Sequence, residues 1–207
     1  MTPPLLAAPV IGRLEPLPGL TRRFVAARSG LYTQVSRPWA TATALVAPAT
    51  GSLPYGDLEE ELNLLCGGIP IDLVVAFARM AREAHPLEAG AWITWHQESR
   101  TFALRALESI TATTAHLAFS RPRLQDGEWL VLDLHSHGSF RAGFSHTDDL
   151  DDRDEFKIAC VLGQCGSEEL DVAVRLCCYG TFLGLPQIEG GIREAFSPYP
   201  LSVEGKR

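Results

Sequence analysis

The hydrophobic period changes at Ile71, and this change constrains the fold more than any other feature of the chain. Upstream, "RRFVAARSGLYTQV" (22–35) holds two β-prone stretches, Phe24-Val25-Ala26 and Leu31 to Val35, separated by Ser29-Gly30, which is a hairpin signal. From Ile71, "IDLVVAFARMAREAH" sets Leu73, Val74, Phe77, Met80 and Ala81 on one helical stripe, with Arg79, Arg82 and Glu83 off it. Pro86 ends the helix. Strand patterns return in "AGAWITWHQ" (89–97) and, after the polar turn "ESR", in "RTFALRAL" (100–107), a second hairpin. "EWLVLDL" (128–134), "FKIACVLG" (156–163) and "LDVAVRLCCYGTFLGLP" (170–186) supply later strands. Such an order predicts an α/β or α+β domain built on a mixed sheet. The break "PATGSLPYG" (48–56) suggests a division into a small N-terminal β subdomain (1–60) and a second domain (61–207). The first 20 residues carry five prolines and are expected to be an extended or partly disordered lead-in.

A chain of 207 residues can fill one core, with a smaller subdomain appended. Its formal charge of −7 argues against nonspecific binding to nucleic acid or acidic lipid, and Arg22-Arg23 is the one visible basic cluster. No apolar run approaches the roughly 20 residues of a spanning helix. The N-terminal "PPLLAAPVIG" is proline-broken and has no basic flank, so it does not read as a signal peptide. Cys66, Cys160, Cys165, Cys177 and Cys178 form neither C-x-x-C nor a disulfide-like framework. They are expected as small core residues in a reducing cytoplasm.

The chemistry gathers in "LDLHSHGSFRAGFSHTDDLDD" (132–152). His135 and His137 are two apart, so in an extended segment both imidazoles face one side and can hold one metal ion at about 2.0–2.1 Å. Asp148 supplies a third, anionic ligand if the loop folds back. Two His and one carboxylate leave a fourth tetrahedral position for water, as in a catalytic zinc site. Ser145 and Asp148 also stand at the S-x-x-D spacing of a helix N-cap, which would aim Asp148 inward. Ser145 would then sit near the metal and could donate a hydrogen bond to a developing oxyanion.

A lone His or Asp in such a loop is ordinarily solvated. The whole pattern H-x-H-x(7)-S-x-x-D arises by chance in roughly one chain of this length per thousand. A hydrolytic site also needs a general base, for which Glu83, Glu88 and Glu98 are the candidates. Glu83 lies on the polar side of the helix and Glu98 in a hairpin turn. Glu88, between the helix end and the head of a strand, is favoured by placement alone. His146 reads as a solvated loop histidine, and His85, His96 and His116 as structural or surface residues. The acidic run Asp148 to Glu155 reads as a solvated helix start, with a docking face for a basic partner as the alternative. Trp92 and Trp95, at odd spacing, should face opposite sides of their strand, one in the core and the other available to a substrate.

"HSHGSFRAGFSHTD", with Glu88 in "PLEAGAWI", resembles the JAMM motif of the JAB/MPN metalloproteases over about residues 70–185. With "FKIACVLG" and "VRLCCYGTFLGLP", it is also similar to the JAB-type proteins of bacterial PRTRC cassettes, which also encode ThiF-like and ParB-like proteins. The resemblance implies a JAB/MPN-like mixed sheet flanked by helices, with Zn2+ on His135, His137 and Asp148. It implies Glu88 as base and Ser145 as transition-state donor. Its known members cleave isopeptide or peptide bonds after ubiquitin or ubiquitin-like proteins, or trim sulfur-carrier proteins. A ubiquitin-like or carrier protein as substrate and a ThiF-like activating enzyme as neighbour are therefore expected. Many such proteins carry proline after the second histidine. Gly138 stands here instead, and a glycine's wider backbone freedom predicts a looser loop.

Two other readings fit the same residues. One is a non-catalytic MPN-type scaffold that binds partner proteins, and the other is a domain stabilised by a structural metal. The sequence offers no phosphate-binding glycine loop, no dinucleotide fingerprint, no deaminase zinc signature and no nucleophile elbow.

Overall fold

The computed structural model describes residues 2–112, 117–119 and 121–185. A first, five-stranded sheet runs in the order β1 (Leu5–Ala7), β2 (Arg22–Ala27), β3 (Gly30–Arg37), β4 (Ala40–Pro48), β5 (Glu61–Leu64). The hairpin expected around Ser29-Gly30 is β2–β3, antiparallel with Ala27 opposite Gly30. The lead-in differs from expectation. Residues 5–7 pair in parallel with β2, Leu5 opposite Phe24, and the Ala8 N–H donates to the Ala26 carbonyl at 2.8 Å. An edge position tolerates the flanking prolines, because their missing N–H groups fall outside the ladder.

The helix at the period change is α1 (Ile71–Ala84), capped at its C-terminus by His85, and it buries Val74, Phe77, Ala78 and Ala81. After it come β6 (Gly90–His96), β7 (Thr101–Ala106), β8 (Ser109–Ala112), β9 (Leu117–Phe119), β10 (Glu128–Ser136), α2 (His146–Asp152), β11 (Phe156–Gly163), β12 (Asp171–Cys178) and β13 (Thr181–Gly184). Six of these strands form a mixed sheet, β13-β12-β11-β10-β6-β7, in which β10 and β11 are parallel and the other pairs antiparallel; β8 and β9 pair separately. With two helices among the described residues, the class is α+β. None of those helices is long and apolar enough to cross a membrane.

One buried cluster joins α1 and both large sheets. It takes Val35 and Ala42 from the first sheet, Trp39 from the turn between β3 and β4, Phe77 and Ala81 from α1, and Ile93, Leu132, Leu134, Ile158, Cys160 and Leu176 from the second sheet. The Trp39 and Phe156 ring centroids lie 4.9 Å apart across this junction. All five cysteines are free and buried. Burial raises the thiols of Cys66 to about 11 and of Cys160 and Cys178 to about 12, so they remain protonated and pack as small hydrophobes. Trp92 and Trp95 face opposite sides as expected, yet both are buried, so neither is open to a substrate.

Register decides which side of the second sheet carries chemistry. In β10, Leu130 pairs with Thr94 but Leu132 pairs with Ile93, so Val131 is the extra residue of a bulge. The bulge shifts the alternation by one residue. Leu132 and Leu134 turn into the core, and Asp133 and His135 face the other side. Unbulged, the same strand would have driven His135 into the apolar cluster.

Candidate metal centre

His135 is the penultimate residue of β10, so the first imidazole stands on the sheet itself rather than on the loop. The strand end is pinned on both sides. Ser136 N–H donates to the Ala89 carbonyl at 2.9 Å, Ala89 N–H to Ser136 Oγ at 2.8 Å, and His137 N–H to the Leu162 carbonyl at 2.8 Å. Both imidazoles lie on one side, their ring centroids 5.0 Å apart, as their spacing predicts.

Asp148 arrives from α2. Ser145 is the N-cap of that helix, and a capping box forms: Asp148 N–H donates to Ser145 Oγ at 3.3 Å, and Ser145 N–H donates to Asp148 Oδ2 at 2.6 Å. With Oδ2 held by the cap, Oδ1 lies 3.5 Å from His135 Nε2. His135 Nε2 and His137 Nε2 are 3.2 Å apart, and ligand atoms of all three residues lie within 4.8 Å of one another. Ligands about 2.0–2.1 Å from a tetrahedral ion stand roughly 3.3–3.4 Å from each other. The two measured spacings bracket that edge, so these residues fit a single ion.

The protonation states fit as well. Burial holds the His135 imidazole below its ordinary pKa despite the pull of Asp148, which favours the neutral ring that a metal ligand must be. His137 Nδ1 lies 3.2 Å from the Arg141 carbonyl, which can only accept, so Nδ1 is the donor there and Nε2 is the nitrogen turned toward His135.

Glu88 lies two residues before β6 and is half-buried. The β6–β10 ladder ends with Gly90 opposite His135, followed by the Ser136 N–H bond to the Ala89 carbonyl and the Ala89 N–H bond to Ser136 Oγ, so Glu88 enters β6 beside the end of β10 that carries the histidines. Glu83 and Glu98 are exposed, on α1 and in the β6–β7 turn. His85 bonds Ser139 at 2.9 Å, His96 bonds Ser99 within its turn, and His146 is exposed. His116 lies outside the described residues.

The loop after His137 is tight, against expectation. Gly138 sits at φ +52°, and a Cβ there would overlap the Pro86 carbonyl oxygen. Its own carbonyl accepts from Cys165 N–H at 2.8 Å, and the Phe140 carbonyl accepts from Gln164 N–H at 2.7 Å. A Cβ on Gly163 would strike the backbone of residues 140–142. Glycine here permits close backbone approach rather than mobility. Gly138→Ala is expected to cost at least about 1–2 kcal/mol from the left-handed backbone alone. Gly138→Pro, locked near φ −65°, should cost more. Denaturant melts check both, and a Gly138→Pro protein as stable as wild type would contradict this account.

The acidic run from Asp148 opens α2 and leaves Asp151 and Asp154 exposed, as expected of a solvated helix start, but Asp152 and Glu155 turn inward. Lys157, its side chain 2% exposed, lies 2.6 Å from Asp133, 2.8 Å from Asp152 and 2.5 Å from Glu155. Asp152 also accepts from Arg175 at 2.7 Å and from the Cys177 thiol at 3.3 Å. Asp133, Asp152 and Glu155 converge closely enough to hold a cation, and the Lys157 ammonium is that cation. Residue-by-residue reading of the sequence missed this cluster. Its signal was a single Lys inside "FKIACVLG" and a single Arg inside "VAVRLCC", where a charge needs buried partners.

Two family models match the chain, one over each part of it. The family model described as a domain of unknown function, DUF2016, matches residues 1–65, and that domain is associated with PRTRC-type proteins. A search of curated proteins returned no match. The model described as prokaryotic homologs of the JAB domain matches residues 70–177, a span that contains α1, the paired histidines, the capping box and the Lys157 cluster. The chain is a member of that prokaryotic JAB family.

Proposed function

We propose that the protein is a zinc-dependent hydrolase of JAMM type that cleaves an isopeptide or peptide bond at the C-terminus of a ubiquitin-like or sulfur-carrier-like protein. The observation that carries the reading is the ligand spacing: 3.2 Å between the two imidazole nitrogens and 3.5 Å from one of them to the Asp148 carboxylate. Zinc bound there would polarise a carbonyl and lower the pKa of water. His135 and His137 would supply imidazole nitrogens and Asp148 a carboxylate oxygen to such an ion. Glu88 takes a proton from the attacking water and passes it to the leaving amine. Ser145 Oγ already accepts from the Asp148 N–H, which leaves its own proton to donate to the carbonyl oxygen as charge builds there.

The substrate tail would add along a sheet edge, where main-chain hydrogen bonds grip an extended chain without regard to side chains. The edge strand β7 supports this, since its Ala106 pairs with Ala91, next to Gly90 and His135. A ThiF-like activating enzyme is proposed as a neighbour in the same system.

Metal content measured by mass spectrometry on wild type and His137→Ala, with melting curves for both, tests the centre. One zinc per wild-type chain, lost in a variant that still melts cooperatively, is the expected result. A zinc-replete wild type without metal would overturn the hydrolase reading. Loss of metal together with loss of fold would assign the ion a structural role instead.

A further inference from the structure

We infer that Arg175 is the positioning residue of the metal centre, clamping the Ser145–Asp148 turn from beneath; the inference rests on the metal reading above. Arg175 lies on β12 opposite Ala159 of β11, on the side of the sheet that carries His135, and its side chain is 7% exposed. Its guanidinium is stacked between two rings, 3.9 Å from the centroid of Phe144 and 4.0 Å from that of Phe182. Its two terminal nitrogens donate to Asp149 Oδ1 at 2.5 Å and to Asp152 Oδ2 at 2.7 Å.

The sequence positions of these contacts matter most. Phe144 immediately precedes Ser145, and Asp149 immediately follows Asp148. One side chain therefore grips the capping box at both ends, with a ring on one side and a carboxylate on the other. Asp152 adds a grip one turn further along α2. The capping box fixes Asp148 relative to Ser145, but it does not fix either relative to β10, where the histidines stand. Lys157 ties the far end of α2 to β11 through Asp152, and Arg175 supplies the link at the capping box itself, because β12 reaches β10 through β11 in a continuous ladder. Only a planar cation can stack between two rings and bond two carboxylates at once. Lysine keeps the charge but provides neither the fork nor the flat face.

The test is a zinc titration of the full chain, stripped of metal, against a competing chelator. It compares wild type, Arg175→Lys, Arg175→Met, Asp148→Asn and the double variant Asp148→Asn/Arg175→Lys, with a melting curve for each metal-free protein. Arg175→Lys is expected to weaken zinc binding about 10–100-fold, the range of outer partners that orient a ligand. In the Asp148→Asn background the same substitution should change affinity by less than about threefold, since the group it positions no longer binds. A general loosening of the fold would instead weaken binding equally in both backgrounds, and that outcome overturns the inference. So does an Arg175→Lys protein that binds zinc as tightly as wild type. Failure of wild type to bind zinc would remove the metal reading itself, and the positioning role with it.

Discussion

Glu88→Gln should leave zinc bound and the fold intact while turnover falls about 10²- to 10⁴-fold, the contribution of a positioned general base. Glutamine preserves the size and the hydrogen-bonding capacity of the side chain but cannot take up a proton near neutral pH. The expectation follows from register. Gly90 pairs with His135 and the Ser136 N–H bonds the Ala89 carbonyl, so Glu88 stands at the head of β6 beside the end of β10 that carries both histidines. Glu83→Gln and Glu98→Gln serve as controls, since both carboxylates are exposed on elements that do not bear the histidines. The measurement is hydrolysis of a ubiquitin-like protein carrying a C-terminal reporter, with metal content determined on the same samples. Undiminished turnover in Glu88→Gln would remove Glu88 from the mechanism. Loss of zinc in that variant would make it a ligand rather than a base.

The parts of the centre that were legible in the sequence are those whose geometry is local. H-x-H fixes two side chains on one face of an extended segment, and S-x-x-D fixes a cap; both relations hold wherever the segment is placed. Long-range placement was not legible. The apolar run Leu130-Val131-Leu132 carries no mark of the bulge that turns His135 out of the core, because any of the three could face inward. Gly138 looked like freedom because the residue that crowds it, Pro86, lies about fifty positions upstream. The proline-rich lead-in looked unstructured because its partner is the open edge of β2, which offers backbone groups and no sequence signature. The acidic run from Asp148 to Glu155 looked solvated because its cations come from β11 and β12. A helix-dipole argument explains acids at a helix start, but two lone cations inside apolar strands demanded acids of their own. Together, the acidic run and the two lone cations in apolar strands point to a buried charge cluster.

That cluster makes the second large prediction. Lys157→Met should destabilise the fold by about 3–5 kcal/mol, the cost of breaking a buried ion pair from one side. For a chain of this size this is on the order of 10 °C in melting temperature. Methionine fills much of the volume, so the loss measures charge rather than packing. Asp133, Asp152 and Glu155 would remain crowded together around an apolar thioether. Adding Asp133→Asn and Asp152→Asn should recover part of the loss, because neutral amides tolerate one another where carboxylates do not. The pH dependence follows with a definite sign. Burial would raise the Asp152 carboxyl, but Lys157 and the hydrogen bond from Arg175 hold it below the ordinary carboxylate range. Its stabilising contribution is therefore full above about pH 4 and is lost as pH falls through the lower folded-state value. Burial opposes the Lys157 charge, yet Asp133, Asp152 and Glu155 raise its pKa well above the ordinary value. Its contribution is full below about pH 10 and disappears only as pH rises through the raised value. The metal-free protein carries a third dependence, since His135 is held below its usual pKa and the unfolded chain takes its proton first. Stability should thus begin to fall as pH drops below about 6.5 and fall again below about 4. In Lys157→Met the Asp152 carboxyl loses its principal cation and the second fall should shift to higher pH. Denaturant melts of both proteins between pH 3 and pH 8 measure this directly. A Lys157→Met protein that melts within about 2 °C of wild type at pH 7 would mean that the three carboxylates find neutralisation elsewhere, and the cluster would then be incidental to the fold.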